Sequence, residues 1–324
     1  MADNTPIRCA ILGAGRIGWS YDGGAYDGVR SVSHAACYHR HADTELVAVF
    51  EPDEGAREVF ASDYKGPGTP LVSGDLEEVL ALSPDCVSVC SPSGHHAAQI
   101  ERLLDSDARY LWIEKPVTLA LADHEALLAK WRSKETPPRI SVNYFRRGLP
   151  QYDVLRQAAA LTAPVAIQAT YSRSLEVNGV HMLDQIGAVL GQSDVPELDW
   201  IDFTDAENPS FGFHRGGTRV SVTGMDLPYH CIEIAVVLPG RRLSVVRGGM
   251  ELREEPAQPN PDYPGFQQLG PVQQTGHAAV YRAAALDGTY RNLCSLLEHS
   301  TEPPSTLVTS LFAARLLDRV AAHR

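Results

Sequence analysis

The sequence lacks several features that would place the protein in a membrane, outside the cell or on nucleic acid. No apolar run approaches the roughly 18 residues that a membrane helix needs, and residues 1–4 have neither the basic nor the apolar region of a signal peptide. Basic residues are outnumbered, with 28 Lys and Arg against 40 Asp and Glu and a net charge of −12. This acidic excess argues against nucleic acid or an anionic membrane as partner, and the cytoplasm is the expected location.

Cysteine is also sparse, and its spacing disfavours the common cysteine sites. The six cysteines form no C-x-x-C pair, and several fall in apolar strand patterns, so we expect reduced, buried thiols rather than disulfides. One local group suggests a zinc site: His34, Cys37, His39 and His41. On a helix only His34 with Cys37, or Cys37 with His41, would share a face, and no second ligand group stands at a metal-site spacing. No metal is expected.

What the sequence does contain is an alternation of strands and helices followed by a region of successive strands. Its 324 residues, 44% hydrophobic and 21% charged, suffice for two globular domains. The alternation over 1–142 predicts an α/β fold, with an amino-terminal Rossmann domain whose doubly wound parallel sheet binds its ligand beyond the carboxyl ends of its strands. Residues 143–324 predict an α+β domain with a large, mostly antiparallel open sheet, from strand patterns at 165–171, 218–223, 231–237 and 242–246.

Two stretches of the second domain have a different texture. Residues 256–271 hold five prolines and two glycines, which predicts an irregular excursion rather than a central strand. Val308, Phe312, Leu316 and Val320 recur every four residues and predict an amphipathic final helix within 305–322. Whether this helix packs on its own domain or back toward the first is left open.

A glycine motif directly follows the first predicted strand, residues 7–12. It reads Gly13-Ala14-Gly15-Arg16-Ile17-Gly18. Gly13 permits a tight turn, Gly15 lets the backbone approach a pyrophosphate, and Gly18 allows the following helix to pack closely on the sheet. Free N–H groups at the amino end of that helix would receive the phosphates. The motif predicts a dinucleotide site that also includes Arg16 and Ile17.

The second predicted strand ends at Glu51, which bears on the choice of dinucleotide. A carboxylate there accepts both hydroxyls of the adenosine ribose and repels a 2′-phosphate, and Pro52 supplies no cation to offset the repulsion, so NAD is favoured over NADP. Glu51 lies 33 residues beyond Gly18 (51 − 18), whereas the motif expects about 20. The glycine-rich insertion within 20–33 is either a surface loop or a lid over the pyrophosphate or nicotinamide.

Five segments, in this order, resemble the glucose–fructose oxidoreductase/inositol dehydrogenase (Gfo/Idh/MocA) family over nearly the whole chain. They are the glycine motif, Ser91-Pro92-Ser93-Gly94-His95-His96, Glu114-Lys115-Pro116, Asn143-Tyr144-Phe145-Arg146-Arg147 and Gly179-Val180-His181-Met182-Leu183-Asp184. The resemblance implies a site between a Rossmann domain and an open-sheet domain, and substrates that are sugars, cyclitols or nucleotide sugars. It also implies homodimers or homotetramers formed through that sheet, and a cis bond before Pro116.

The chemistry of such an enzyme points to three catalytic candidates. Hydride transfer to or from a carbinol carbon also moves a proton on the attached oxygen, so a cation or acid must lie near that oxygen. Lys115 follows the strand at 110–113, and its ammonium can stabilise the developing alkoxide. Partial burial would lower the pKa of this lysine toward working pH. His181 matches the family's acid/base histidine by resemblance, and Asp184, three residues later on one helix face, can orient it or bind a substrate hydroxyl. Purely structural roles for Lys115 and His181 are the alternative.

The sequence departs from the family pattern at Val177. Many dehydrogenases of the family carry an aspartate four residues before the histidine, whereas this chain has Val177 between Glu176 and Asn178. Either Asn178 and Asp184 substitute for that aspartate, or the reaction is altered or absent.

The remaining candidates belong to the cofactor and substrate sites. Beyond the glycine motif and Glu51, the cofactor candidates are Ser91, Pro92, His96, Glu114 and Lys115. The substrate candidates lie at or beyond strand ends expected to face the cleft: Tyr144, Arg146, Tyr171, Arg173 and Asn178. Arginine forks suit carboxylates and phosphates, as a sugar acid or nucleotide sugar would present, although solvated arginines with structural partners are an equal alternative.

Three functions are compatible with this pattern. The first is an NAD-dependent oxidoreductase acting on a secondary alcohol or ketone of a sugar, cyclitol or nucleotide sugar. The second is a glycosidase or epimerase that uses NAD without net turnover. The third is a non-catalytic sensor of NAD or a metabolite, which Val177 favours and which Lys115 and His181 oppose.

Overall fold

The computed structural model describes residues 5–22, 31–191, 194–274 and 277–324, and these form two compact units. The first unit comprises the chain up to Phe145 together with Leu286–Val308, and the second comprises Arg146–Ala285 and Thr309–Arg324. The predicted boundary at 142 assigns residues 286–308 to the second domain, whereas in the structure Leu286–Val308 returns to the first unit. The predicted insertion falls mostly on 23–30, outside the described residues.

The first unit is built on a six-stranded sheet in which all neighbours run parallel, which confirms the predicted Rossmann topology. Its strands are β1 (Ile7–Leu12), β2 (Thr44–Phe50), β3 (Leu71–Ser73), β4 (Cys86–Val89), β5 (Tyr110–Ile113) and β6 (Arg139–Val142), in the spatial order β3-β2-β1-β4-β5-β6. Its connecting helices are α1 (His34–Arg40), α2 (Glu54–Asp63), α3 (Leu76–Leu80), α4 (His96–Leu104) and α5 (Leu121–Ser133). Every residue of β4 and β5 is buried, as expected of strands covered on both faces.

The second unit contains a large, mostly antiparallel sheet, as predicted. Its helices and strands begin with α6 (Pro150–Leu161), β7 (Ala166–Ser172), α7 (Val180–Leu190), β8 (Trp200–Asp202), β9 (Ser210–Arg215), β10 (Thr218–Met225), β11 (Ile232–Leu238) and β12 (Arg241–Val246). They continue with β13 (Glu251–Pro259), β14 (Gln267–Leu269), β15 (Gln273–Gln274) and α8 (Ala278–Leu286). The strand order is β14-β13-β12-β11-β7-β10-β9-β8, with β15 on β13. β7 and β10 pair in parallel, so the chain does not proceed through simple antiparallel neighbours.

Two predictions for this unit need correction or refinement. The proline-rich stretch 256–271 is not wholly irregular, because β13 runs through Pro256 to Pro259 and β14 forms within the stretch. β14 is the outermost strand of the sheet, whereas β13 pairs with β12 on one side and with β14 and β15 on the other. The final helix, α10 (Leu311–Ala321), packs on α7 of the second unit. Gly187 makes room for it, since a Cβ there would lie 2.6 Å from the ring of Phe312.

The segment 286–308 completes the margin of the first unit. Leu293 and Leu296 of helix α9 (Gly288–Leu297) join the core beside Trp112, and the Asn292 amide oxygen accepts hydrogen bonds from Trp112 Nε1 at 2.7 Å and Ser141 Oγ at 3.0 Å. Ser305 accepts from the backbone N–H of Val142 on the outermost strand, β6. The return therefore covers an otherwise open margin of the parallel sheet.

Across the described ranges, no helix is both long enough and apolar enough to cross a membrane.

Candidate active site

The carboxyl ends of four parallel strands, β1, β2, β4 and β5, carry the predicted cofactor residues of the first unit, and Asn143 follows a fifth, β6. Just beyond each of these strands, a backbone N–H donates to a carbonyl oxygen at the end of the neighbouring strand. The bonds, 2.7–2.9 Å long, run from Glu51 to Ser73, Gly13 to Phe50, Cys90 to Leu12, Glu114 to Val89 and Asn143 to Ile113. Because the strands are parallel, these ends lie along one edge of the sheet, which is where such folds bind their ligands.

The glycine turn is closely packed at two of its three glycines. Gly13 adopts a φ of +105°, and a Cβ there would lie 2.7 Å from the backbone nitrogen of Ser91. A Cβ on Gly18 would overlap the carbonyl oxygen of Gly13, whereas a Cβ on Gly15 would meet nothing within 4 Å. Gly13 and Gly18 are thus required by close backbone packing, and Gly15 by nothing in the ligand-free protein. The open space at Gly15 fits a dinucleotide whose phosphates approach the backbone there.

The segment after the glycines differs from the prediction of a regular helix. Trp19 donates to Gly15 O at 3.1 Å and Tyr21 to Arg16 O at 3.0 Å, and the chain then forms a short 3₁₀ helix over Ser20–Asp22. A regular helix begins only at α1, where the backbone N–H of His34 donates to Ile17 O. The insertion separates the turn from that helix, so the N–H groups of the turn itself, with exposed Arg16 beside them, are the groups available to phosphates.

Glu51 lies against the glycine turn. Its Oε2 accepts from the backbone N–H of Ala14 at 2.9 Å, and its Oε1 accepts from that of Asp53 at 3.1 Å. Each oxygen retains a further lone pair, so the carboxylate can still accept ribose hydroxyls. Arg57, which the sequence analysis missed, returns from α2 and donates to the carbonyls of Glu51 and Pro52, both at 2.9 Å. A cation therefore does stand near this strand end.

His96 joins two of the loops at the edge rather than lying open to a ligand. It is 1% exposed, with Nε2 2.8 Å from Ser91 O and Nδ1 2.9 Å from Pro116 O. Ser91 Oγ in turn donates to Gln99 on α4 at 2.6 Å. His96 thus joins the loop after β4, which contains Ser91 and Pro92 and is called the Ser91 loop below, to the segment that carries Lys115.

Lys115 follows a buried carboxylate. Glu114 is 8% exposed, its Oε1 accepts from Asn143 Nδ2 and lies 3.1 Å from His34 Nε2, and its Oε2 accepts from the backbone N–H of Lys115 at 3.3 Å. Burial would raise the pKa of Glu114, but the hydrogen bonds from His34 and Asn143 and the charge of Lys115 outweigh it and hold the pKa below its usual value. The Lys115–Pro116 bond is cis, as the resemblance implied.

In the second unit, Asp184 is sequestered. It is 0% exposed, and both carboxylate oxygens accept from Arg147 Nε at 2.8 and 2.9 Å. Arg147 Nη2 also donates to the carbonyls of Asp184 and Thr309. Burial raises the pKa of Asp184 to about 6, against the opposing charge and hydrogen bond of Arg147. The pair therefore ties α7 to the start of α10 from inside the unit.

His181 lies in the first turn of α7, directly after a π-helical turn over Leu175–Gly179. It is 5% exposed. Gly179 lets this turn approach β7, since a Cβ there would lie 3.0 Å from the ring of Tyr171. Val177, four residues before His181, is 55% exposed and offers no proton-carrying group.

The aromatic and amide substrate candidates are buried. Tyr144 is 2% exposed, and Tyr171 is 0% exposed with its hydroxyl donating to Pro209 O at 2.7 Å. Burial raises the pKa of Tyr171 well above its usual value. Asn178, 9% exposed, donates from Nδ2 to Ser172 O at 2.7 Å. In the ligand-free protein the hydrogen bonds of Tyr171 and Asn178 brace the second unit, whereas Tyr144 belongs to the first.

The arginine candidates form part of a basic group. Arg146 is buried, whereas Arg173 is exposed and adopts a left-handed φ of +67° at the end of β7, followed by Ser174 at +72°. Consecutive left-handed residues of this kind are costly and cluster at functional sites. Burial lowers the pKa of His230, and the charges of Arg146 and Arg173 lower it further. His230 was missed because it lies 57 residues beyond Arg173 (230 − 173) and becomes its neighbour only through β11.

The four side chains of the suspected zinc group have separate surroundings. His34 contacts Ser88 and Glu114, His39 Nε2 lies 2.7 Å from the Tyr64 hydroxyl, and the His41 ring is near Tyr290. Cys37 is fully buried, with its sulfur directed to Ser31 O. In the part of the chain that the structure describes, no three His, Cys, Asp or Glu side chains are arranged to hold a metal ion.

Comparison with known proteins agrees with this geometry. Residues 7–144 match the Gfo/Idh/MocA family, described as an oxidoreductase family with an NAD-binding Rossmann fold. The scyllo-inositol 2-dehydrogenase (NAD(+)) of Bacillus subtilis (strain 168) is 32% identical over 147 residues, which are 45% of this chain and 38% of that protein. The D-glucoside 3-dehydrogenase of Escherichia coli (strain K12) is 33% identical over 114 residues, or 35% and 28% of the two chains. The match thus spans less than half the length of either curated relative.

A solved structure extends the likeness in fold to nearly the whole chain. The crystal structure of a dehydrogenase from Clostridium difficile has a TM-score of 0.73, covers 98% of this chain and 99% of its own, and is 18% identical. At that identity the match shows the fold and nothing finer.

Proposed function

We propose that this chain, whose residues 7–144 belong to the NAD-binding Rossmann fold of the Gfo/Idh/MocA oxidoreductases, transfers a hydride between NAD and a secondary alcohol or ketone of a sugar, cyclitol or nucleotide sugar. The observation that carries the proposal is the order of groups along one sheet edge. Glu51, the glycine turn, the Ser91 loop and Lys115 follow the strand order β2-β1-β4-β5. A dinucleotide lying along this edge would meet a ribose acceptor, a phosphate turn and then a cation.

The residues present fit NAD, which when bound supplies the hydride acceptor or donor. Gly13, Gly15 and Gly18 with Arg16 and Ile17 would hold the pyrophosphate, Glu51 the adenosine ribose, and Ser91 and Pro92 the nicotinamide half. Asn143 Oδ1 is buried, and no described residue donates a hydrogen bond to it. A buried acceptor left without a donor is costly, so we assign it to an N–H or O–H group of the ligand.

Lys115 is the group we assign to the reacting oxygen. It lies at the end of β5, tied by Pro116 and His96 to the Ser91 loop. Its ammonium would hydrogen-bond the substrate oxygen and stabilise negative charge as it develops there. Glu114 beside it keeps this charge compensated while the ligand is absent.

We assign the general acid/base role to His181, on the chemistry of imidazole and the family resemblance. For Asp184 the geometry favours a structural role over the catalytic one expected from the sequence. A carboxylate that is 0% exposed and bound by Arg147 through both oxygens can neither reach a substrate hydroxyl nor exchange a proton without breaking the pair. For His96 the geometry likewise favours a structural role over direct contact with the cofactor, because its buried ring contacts the carbonyls of Ser91 and Pro116.

For the substrate, the basic group of Arg146, Arg173 and His230 favours an anionic sugar derivative, either a sugar acid or a nucleotide sugar. The named relatives are dehydrogenases of an inositol and of a glucoside, so activity on neutral sugars is the control against which activity on anionic sugars is compared. We also propose a homodimer or homotetramer formed through the open sheet, which light scattering would test.

One observation favours a second candidate, the non-catalytic sensor of NAD or a metabolite. Val177 is exposed in the position where the family carries an aspartate, so a proton-carrying group is missing. Such a protein would bind NAD and a sugar yet produce no reduced nicotinamide.

The test is a substrate screen with the purified chain. Inositols, glucosides, sugar acids and nucleotide sugars would each be mixed with NAD or NADP, with reduced nicotinamide followed by absorbance and products by mass. We expect NAD reduction with at least one class. Product formation without reduction would instead support an NAD-using glycosidase or epimerase. Binding of NAD with no product from any class would support the sensor, and either result would overturn the oxidoreductase proposal.

A further inference from the structure

We propose that His34 is a positioning residue that fixes the Glu114 carboxylate beside Lys115. The importance of this arrangement for catalysis rests on the proposed function, but the arrangement itself does not. His34 entered the sequence analysis only as a member of the suspected zinc group. In the structure its ring contacts Glu114, 80 residues further along the chain, at the sheet edge where the predicted cofactor residues lie.

His34 contacts both the glycine turn and the segment that carries Lys115. It is the first residue of α1, and its backbone N–H donates to Ile17 O of the glycine turn at 2.9 Å. Its side chain is 0% exposed and reaches the opposite way along the edge, with Nε2 3.1 Å from Glu114 Oε1. His34 thus contacts the glycine turn through its backbone and Glu114, next to Lys115, through its ring.

We assign the direction of the hydrogen bonds from the network. A carboxylate only accepts, so His34 Nε2 must carry a proton and donate to Glu114. His34 Nδ1 lies 2.8 Å from Ser88 Oγ, and Ser88 Oγ lies 2.6 Å from the Tyr38 hydroxyl. If Tyr38 donates to Ser88, then Ser88 donates to Nδ1, and every proton in the chain has an acceptor. This order requires the neutral Nε2–H tautomer. Burial favours it, since burial lowers the pKa of His34.

The ring of His34 is held rigidly. The imidazole stacks on Trp112 with ring centroids 3.6 Å apart and planes inclined by 26°. Trp112 is itself fully buried and held by the hydrogen bond from its Nε1 to Asn292. A fully buried ring that stacks on Trp112 and is bonded at both nitrogens is held against turning, so it presents a donor to Glu114 in one direction only.

The consequence falls on the two oxygens of Glu114. Oε1 accepts from His34 and Asn143, and Oε2 accepts from the backbone N–H of Lys115. A buried carboxylate that loses its donors either takes up a proton or turns away, because an uncompensated charge is costly. In both cases Lys115 loses the negative charge that favours its ammonium form. His34 would therefore act on Lys115 only through Glu114.

The experiment measures the reactivity of Lys115 in the ligand-free protein, so that it is independent of any substrate. Acetic anhydride acetylates neutral amines, and mass spectrometry of the peptide containing residue 115 gives the rate, with exposed Lys65 as internal reference. We expect Glu114→Gln to speed acetylation about tenfold, the effect of one pKa unit. His34→Phe, which keeps a ring for Trp112 but has no N–H, should speed it several-fold. His34→Gln, which keeps a donor, should stay near the wild-type rate.

The double variant decides the mechanism. If His34 acts through Glu114, then His34→Phe adds nothing in the Glu114→Gln background. Multiplying factors, or a His34→Phe rate within twofold of wild type, would overturn the proposal. The matched control is His124→Phe, which replaces another buried histidine of the first unit, one bonded to Leu307 O, and should leave Lys115 unchanged.

A second measurement uses the wild-type protein and does not depend on the variants folding. Nitrogen NMR of labelled imidazoles should show His34 as the neutral Nε2–H tautomer at neutral pH. The Nδ1–H tautomer or an imidazolium would contradict the proposed direction of the chain. A failed sugar screen would refute the proposed function and leave both results standing.

Discussion

The two units each bury one carboxylate within a predicted site motif, and they treat it in opposite ways. Glu114 has a histidine, an amide and a neighbouring lysine as partners, keeps an exposed margin and has a lowered pKa. Asp184 has an arginine on both oxygens, no exposure and a pKa raised to about 6. A buried carboxylate thus serves as the charge next to Lys115 in one unit and as an internal brace in the other. Burial and partners, rather than position in a motif, separate the two.

The largest expected effect is a loss of stability when the Arg147–Asp184 pair of the second unit is broken. Asp184→Ala leaves Arg147 buried without its counter-charge and should lower the free energy of unfolding by about 3–5 kcal/mol. Urea unfolding followed by circular dichroism measures it. Replacing both partners, as in Arg147→Met with Asp184→Leu, should cost clearly less than Asp184→Ala alone. If Asp184→Ala unfolds like wild type but abolishes turnover, the carboxylate is catalytic after all.

The next effect separates packing from ligand binding within the glycine turn. Gly18→Ala places a Cβ on the Gly13 carbonyl and should destabilise the first unit by about 1–3 kcal/mol. Gly15→Ala meets nothing in the free protein, so its stability should stay near wild type while NAD affinity falls. Thermal unfolding and calorimetric NAD titration measure the two effects. Unchanged NAD affinity in Gly15→Ala would place the pyrophosphate elsewhere.

A smaller effect concerns the choice between NAD and NADP. Glu51→Ala removes the ribose acceptor and should weaken NAD about tenfold, or roughly 1.4 kcal/mol, while relieving repulsion of a 2′-phosphate. In that background Arg57 is the cation available to the phosphate. Adding Arg57→Ala should therefore reverse any gain in NADP binding. A wild-type protein that already prefers NADP would contradict the reading of Glu51.

The smallest effect contrasts how the units respond to pH. Burial lowers the pKa of His39 to about 4, so the unfolded chain takes up this proton first and stability falls as pH drops from 6.5 toward 4. Asp184 has the opposite sign, because its raised folded pKa makes the folded chain gain stability as pH falls from about 6 toward 3.8. His39→Gln should flatten the acid loss of stability, measured by urea unfolding across pH. An unchanged slope would show that His39 does not contribute.

The sequence predicted the parts of this protein that depend on neighbours along the chain. The glycine motif and Glu114-Lys115-Pro116 each follow a buried strand, and parallel topology then sends them to one edge. What it missed are pairings made by folding: His34 with Glu114, Asp184 with Arg147 and Arg173 with His230. Each depends on tertiary contacts over tens of residues, and no local spacing marks them.

The return of α9 was missed for the same reason. Its apolar face is ordinary for an amphipathic helix, and only the structure shows that Leu293 and Leu296 enter the core of the first unit rather than the second. The proline-rich stretch was misjudged because its prolines do not prevent pairing: the N–H of Ala257, between Pro256 and Pro259, donates to Gly240 O, and Pro256 O accepts from the N–H of Gly270.

The most direct test of the central claim, that the first unit binds NAD and directs Lys115 to the reacting oxygen, is to measure NAD affinity and turnover together in Lys115→Ala. With any substrate found in the screen, we predict a dissociation constant for NAD within about threefold of wild type and a kcat lower by at least about 100-fold. Turnover within tenfold of wild type, or an equal loss of NAD binding and turnover, would contradict the account.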